Sequence, residues 1–134
     1  MNVREALDYI HAVSWKGSRP GLSRITSLMH LLGNPQNKLR FVHVAGTNGK
    51  GSIAAMISKI LMEDGLKVGM YTSPYLEVFE ERIQINGVNI PRDDLSRVVT
   101  KVSEVVKKVI EMGYDNPTEF EIITCAISTF CSAK

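Results

Sequence analysis

Residues 41–61 read FVHVAGTNGKGSIAAMISKIL, and the change of period in the middle of this stretch decides the fold. Before it, Phe41, His43 and Ala45 alternate with Val42 and Val44, so 39–45 has the character of a strand. After it, Ile53, Met56, Ile57, Ile60 and Leu61 recur at the spacing of a helix buried along one face. Asp64-Gly65 ends that helix. LKVGMYTS, 66–73, then reads as a second short strand. A strand, loop, helix and strand in this order, over 40–73, predict a parallel βαβ crossover. The expected fold class is therefore α/β.

The flanking segments supply helices and a hairpin. Asn2 and Glu5 have capping-box spacing at the head of a helix over 2–14. In LSRITSLMHLLG, Leu22, Ile25, Leu28, Met29 and Leu32 share a helical face, and Gly33-Asn34-Pro35 stops it. Arg82, Gln84 and Asn86 alternate with Ile83 and Ile85, and Asn86-Gly87 is a hairpin turn signal. Residues 93–112 carry the clearest stripe, Leu95, Val98, Val99, Val102, Val106 and Val109. A last helix opens at Pro117-Thr118 with Glu121 three residues on, and Ile123, Ala126, Ile127 and Phe130 form its core face. Two core strands are few for an α/β sheet, so the chain is expected to be the N-terminal piece of something longer.

With 134 residues, 44% hydrophobic and 22% charged, there is enough apolar material for one domain or part of one. Sixteen basic against fourteen acidic residues leave a net charge of +2, too balanced for a nucleic-acid or membrane-surface binder. Arg4, Glu5 and Asp8 stand where a signal peptide needs an apolar core, and no apolar run approaches the roughly 20 residues that cross a bilayer. Cys125 and Cys131 are six apart in one helical segment and point to different faces. A reduced, cytoplasmic protein is the expectation.

A phosphate group needs N–H donors and positive potential at close range. A helix N-terminus offers both, and glycines let the backbone approach. Gly46, Gly49 and Gly51 provide that backbone, Lys50 a mobile charge, and Ser52 a hydroxyl in the first helical turn. The general P-loop pattern is not met in full: Val44 stands where a glycine is usual, and Gly51 separates Lys50 from Ser52. On spacing alone the stretch is either a nucleotide site or a glycine-rich turn with a solvated lysine.

HVAGTNGKGS (43–52) resembles the signature of the folylpolyglutamate synthase and dihydrofolate synthase family, within the Mur ligase superfamily. GLSRITSLMHLLGNPQ (21–36), YTSPYLEVFEERIQINGVNI (71–90) and TEFEIITCAISTF (118–130) follow in that family's order and spacing. The resemblance implies a three-layer, P-loop-type ATP-binding domain with a mostly parallel sheet, of which residues 1–134 would be a truncated N-terminal part. A glutamate-binding C-terminal domain would be absent. The implied reaction is ATP-dependent addition of L-glutamate to tetrahydrofolate, or to dihydropteroate, through an acyl phosphate. By the same resemblance Gly46, Thr47, Asn48, Gly49, Lys50, Gly51 and Ser52 bind ATP, with Lys50 catalytic. Ser73 is a Mg²⁺ ligand, and Thr118, Glu119, Phe120, Glu121 and Arg82 lie at the pterin or folate. The parent enzyme would be a monomer, the chain by itself inactive and able to self-associate.

Local rules give some of these residues other roles. Thr118 and Glu121 form a capping box. Arg82 can pair with Glu77, Glu80 or Glu81, which otherwise read as a solvated loop. His43 reads as a buried strand residue, His11 and His30 as helix-surface residues. The competing functions are another small P-loop kinase or NTPase, which needs an acidic strand after residue 73 that the sequence does not display, and a non-catalytic nucleotide-binding or self-associating module.

Overall fold

Residues 1–13, 21–72 and 79–133 are described by the computed structural model; Trp15, Ser73, Pro74 and Glu77 lie outside them. In chain order the elements are α1 (Val3–Val13), α2 (Ser23–Leu31), α3 (Lys50–Glu63), β1 (Gly69–Tyr71), β2 (Ile83–Ile85), β3 (Val88–Asn89), α4 (Arg92–Glu111) and α5 (Glu119–Ser132). Short 3-10 turns occupy Pro35–Lys38 and Phe79–Arg82. The fold is α/β and mostly helical. It divides into two units, Met1–Leu39 with Arg92–Lys134, and Arg40–Pro91.

The first unit is built on α4, which packs against α1, α2 and α5. Its valines are poor helix formers, each costing about half a kcal/mol against alanine. Burial of each is worth about 1.5–3 kcal/mol, so packing outweighs propensity. Leu95, Val98, Val99, Val102, Val106 and Val109 are all buried, as their spacing predicts, and Val105 joins them. They meet Ala6, Ile10 and Val13 of α1, Leu28 and Met29 of α2, and Ile122, Ile123, Ala126 and Phe130 of α5 in one core. The predicted cap at the start of α1 is present: Glu5 N–H donates to Asn2 Oδ1 at 2.8 Å, and Asn2 N–H donates to Glu5 Oε2 at 3.3 Å.

Two acids in this unit are held neutral by burial. Cys125, a free thiol like Cys131, is pushed up to about 12 by desolvation and, second, by the Glu121 carboxylate. Burial alone raises the Tyr9 phenol to about 12. The unfolded chain loses these protons first, near 9 for the thiol and 10 for the phenol. Their contribution to stability is therefore intact below about pH 9 and declines above it, by up to about 1.4 kcal/mol per pH unit for the buried thiol and by less for the partly solvated phenol. Urea denaturation at pH 8 and 10.5 is expected to show this fall. Maleimide at pH 7.5 should leave Cys125 unlabelled until the chain is unfolded.

The second unit holds an antiparallel sheet of order β1-β2-β3. Asn86 and Gly87, at φ 50° and 79°, form the predicted two-residue hairpin turn between Ile85 and Val88. Asn86 also ties the turn to the start of β1: Val68 N–H donates to its Oδ1, and Asn86 N–H to Val68 O, both at 2.8 Å.

Here the structure departs from the expected parallel crossover. β1 pairs with β2, antiparallel, with Tyr71 opposite Ile83. Residues 39–45 enter no ladder among the described residues; Phe41 and Val42 are 64% and 65% exposed. Alternation and β-branching favour extension, but a strand exists only where a neighbour takes up its N–H and C=O groups. For the same reason the predicted core face of α3 is uncovered at Ile53, Met56 and Ile60, and His43 is exposed rather than buried. No described helix is long and apolar enough to cross a membrane.

Candidate functional site

The glycine loop leads directly into α3, whose first residue is Lys50. Gly49 caps the helix with φ 76° and ψ 4°, a left-handed conformation costly for any residue with a Cβ. The first backbone bond of the helix runs from Ile53 N–H to Gly49 O at 3.0 Å. Among the described residues, the N–H groups of Gly46 through Ser52 find no backbone acceptor. All nine residues from 45 to 53 are exposed. The Lys50 stem folds back over the loop, its Cγ 3.9 Å from where a Gly46 Cβ would stand. Unpaired donors, a helix N-terminus and a lysine thus converge on one exposed surface, the chemistry an anion requires. The structure brings together Gly46, Thr47, Asn48, Gly49, Lys50, Gly51 and Ser52 as expected of a contiguous loop.

Arg82 is occupied locally. It is 9% exposed. Its Nη2 donates to the Tyr71 hydroxyl at 2.8 Å and its Nε to Thr72 O at 3.3 Å. The guanidinium lies over the Tyr71 and Phe79 rings, 5.5 and 5.3 Å from their centroids. These bonds lock the end of the β1–β2 ladder, where Thr72 N–H donates to Arg82 O at 2.9 Å. Glu80 is 6% exposed, so at that position the expectation of a solvated loop fails. The 3-10 turn Phe79–Arg82 packs against β2 and β3 and carries Glu80 inward.

At the start of α5 the predicted capping box is complete. Thr118 Oγ1 accepts from Glu121 N–H at 3.1 Å, and Glu121 Oε1 accepts from Thr118 N–H at 2.9 Å. Thr118 spends a lone pair on the cap. Among the described residues its hydroxyl proton has no acceptor, and so remains able to donate to a ligand. Phe120 is 60% exposed, Thr118 and Glu119 are half-buried, and Glu121 is only 7% exposed. Thr118→Ala is expected to cost about 1 kcal/mol through loss of the cap, measurable by urea denaturation.

Sequence reasoning missed the partner of Glu121. Arg24, on α2, donates to Glu121 Oε1 from Nε at 3.1 Å and from Nη2 at 2.9 Å, with both side chains more than nine-tenths buried. Oε2 is enclosed, with no hydrogen-bond partner among the described residues. A signal was present: Arg24 precedes Leu28 by four, and Glu121 precedes Cys125 by four, so each charge shares a helical face with a core residue.

Ser73 lies outside the described residues. Among those described, no three His, Cys, Asp or Glu side chains stand together as a metal-binding group. A divalent cation such as Mg²⁺ wants several hard oxygen ligands, so the described residues do not form such a site by themselves.

No protein-family model matches the chain. Dihydrofolate synthase/folylpolyglutamate synthase of Bacillus subtilis is 44% identical over 128 residues, which are 95% of this chain and 30% of that protein. Folylpolyglutamate synthetase of Lactobacillus casei superimposes with a TM-score of 0.87 at 41% identity, over 97% of this chain and 33% of its own. An FPGS complex with AMPPCP and folate gives a TM-score of 0.85 at 40% identity, over 97% of this chain and 32% of its own. The chain spans about a third of the length of these relatives. Similar to them along nearly all its residues in both sequence and backbone, the chain belongs to the folylpolyglutamate synthase and dihydrofolate synthase family.

Proposed function

We propose that the chain is part of the ATP-binding domain of an ATP-dependent ligase that adds L-glutamate to tetrahydrofolate or dihydropteroate. The observation that carries this reading is the loop at Gly46–Ser52: donors without backbone acceptors among the described residues, at the head of α3, with Lys50 folded over them. A carboxylate is a poor electrophile at neutral pH. Transfer of the γ-phosphoryl group of ATP to the folate carboxylate supplies a leaving group, and the glutamate amine then displaces phosphate. In this scheme the loop N–H groups hold the phosphates, and Lys50 offsets charge that grows on the transferring oxygens.

Thr118, Glu119, Phe120 and Glu121 form the turn proposed to meet the pterin, with Arg82 near the folate. Ser73 is proposed as one ligand of a Mg²⁺ that would arrive with the nucleotide phosphates. In the whole enzyme, 39–45 and β1 would take up the parallel pairing that their sequence favours, covering Phe41, Val42 and the outer face of α3. By itself the chain is proposed to be inactive, and its uncovered apolar residues favour self-association, which light scattering reads directly. A cytoplasmic location, and a monomeric parent, belong to the same proposal.

The test is a chimera in which residues 1–134 replace the matching third of the Lactobacillus casei synthetase. Glutamate-dependent ADP release with a reduced folate is expected. A folded chimera that releases none would count against the assignment, and ADP release without folate or glutamate would favour an unrelated NTPase.

A further inference from the structure

We infer that Arg24 is a positioning residue: through one oxygen of Glu121 it holds the turn Thr118-Glu119-Phe120 in the shape that receives the ligand. The inference rests on the proposed reading of that turn as the pterin platform, and it divides the four residues into contacts and a holder.

A capping box needs a glutamate or glutamine but no arginine. Here the carboxylate is buried. Glu121 Oε1 takes three donors, Arg24 Nε at 3.1 Å, Arg24 Nη2 at 2.9 Å and Thr118 N–H at 2.9 Å. Oε2 has none among the described residues and is shut away from the surface. As a stability device this is poor, because burying an ion pair costs desolvation that an apolar pair of the same size avoids. As an orienting device it is effective. Two N–H groups of one planar guanidinium on a single oxygen fix where that oxygen lies. Thr118 is then pinned twice to Glu121, by its backbone N–H and by its hydroxyl oxygen. The chain from α2 to the turn is Arg24, Glu121 Oε1, Thr118.

The same burial says what each residue does. At 7% exposure, with Oε2 enclosed, Glu121 is out of a ligand's reach. Phe120, 60% exposed, leaves aromatic surface that a flat heteroaromatic bicycle can meet. Thr118 retains a hydroxyl proton to donate to such a ring's carbonyl or nitrogen. Arg24 and Glu121 set the positions of both.

The test uses the full 134-residue chain, with folate and AMPPCP titrated separately by calorimetry. The loop expected to bind AMPPCP lies in the other unit, so its affinity reports the state of that unit, and urea denaturation reports the state of the unit that holds Arg24 and Glu121. Phe120→Ala is expected to weaken folate about tenfold or more by loss of stacking. The decisive variant is Arg24→Met combined with Glu121→Leu, which removes both charges and restores an apolar fit. It should melt near the wild type and bind AMPPCP unchanged, yet bind folate about tenfold more weakly. If stability alone mattered, folate affinity would return with stability; wild-type folate affinity in this double variant, beside a weakened Phe120→Ala, overturns the inference and leaves the platform standing. Unchanged folate binding by Phe120→Ala, or no folate binding by a wild-type chain that takes up AMPPCP, overturns the platform and the inference together. Should the double variant not fold, Arg24→Lys decides: weaker folate with unchanged AMPPCP supports positioning, and unchanged folate sinks it.

Discussion

Arg24→Met, made alone, is expected to lower the unfolding free energy by about 3–5 kcal/mol. It leaves the Glu121 carboxylate buried with Thr118 N–H as its one remaining donor among the described residues, where three donors had shared the charge. The penalty is that of an uncompensated buried charge, not the worth of the pair. The pair itself contributes little net, because its mutual attraction offsets a desolvation cost of similar size. Glu121→Leu on the Arg24→Met background should therefore recover most of the loss, except the share that belongs to the cap. A double-mutant cycle by urea denaturation reads both quantities. Against a total stability of about 5–15 kcal/mol, the single change should move the midpoint visibly. A loss below about 1 kcal/mol would mean that the site relaxes and admits water, and that Arg24 does not hold Glu121 in the folded chain.

Local rules read the first unit well. The α4 stripe, the caps at Asn2–Glu5 and Thr118–Glu121, and the stop at Gly33-Asn34-Pro35 each depend on residues a few positions apart, and all stand where spacing places them. Asn86-Gly87 is legible for the same reason. What local rules misplace depends on neighbours. Val42, Val44, Ile53 and Ile60 carry the pattern of buried elements, but a pattern states only which face wants cover. It does not supply the strand that pairs with 39–45, and no described residue does. The expected parallel crossover and the buried His43 both failed on that one point. The Arg24–Glu121 pair failed to be read for a related reason: its partners are 97 residues apart, and charge on an apolar face looks like an interruption until its counterpart is seen. The candidate phosphate loop was legible because a strand-to-helix turn with three glycines and a lysine is local in sequence and in space.

Lys50→Ala is expected to reduce AMPPCP affinity, measured with Mg²⁺ by calorimetry, by about a hundredfold, the worth of one or two charge-assisted hydrogen bonds to phosphate. Stability should not fall with it. Lys50 is exposed, heads α3 rather than lying within its packed side, and alanine is the better helix former. Its position at the N-terminus of α3 is also where a cation opposes the helix dipole, so its removal is favourable to the helix and unfavourable only to an anion. That opposition is the physical reason to read Lys50 as functional: local stability does not explain a lysine there, whereas a phosphate group would. A Lys50→Ala chain that binds AMPPCP as tightly as the wild type would reduce the loop to a tight turn whose N–H groups face water. Selective loss of nucleotide, with denaturation unchanged, would place the charge of Lys50 on the phosphates and make the unpaired N–H groups of Gly46 to Ser52 the cradle around them.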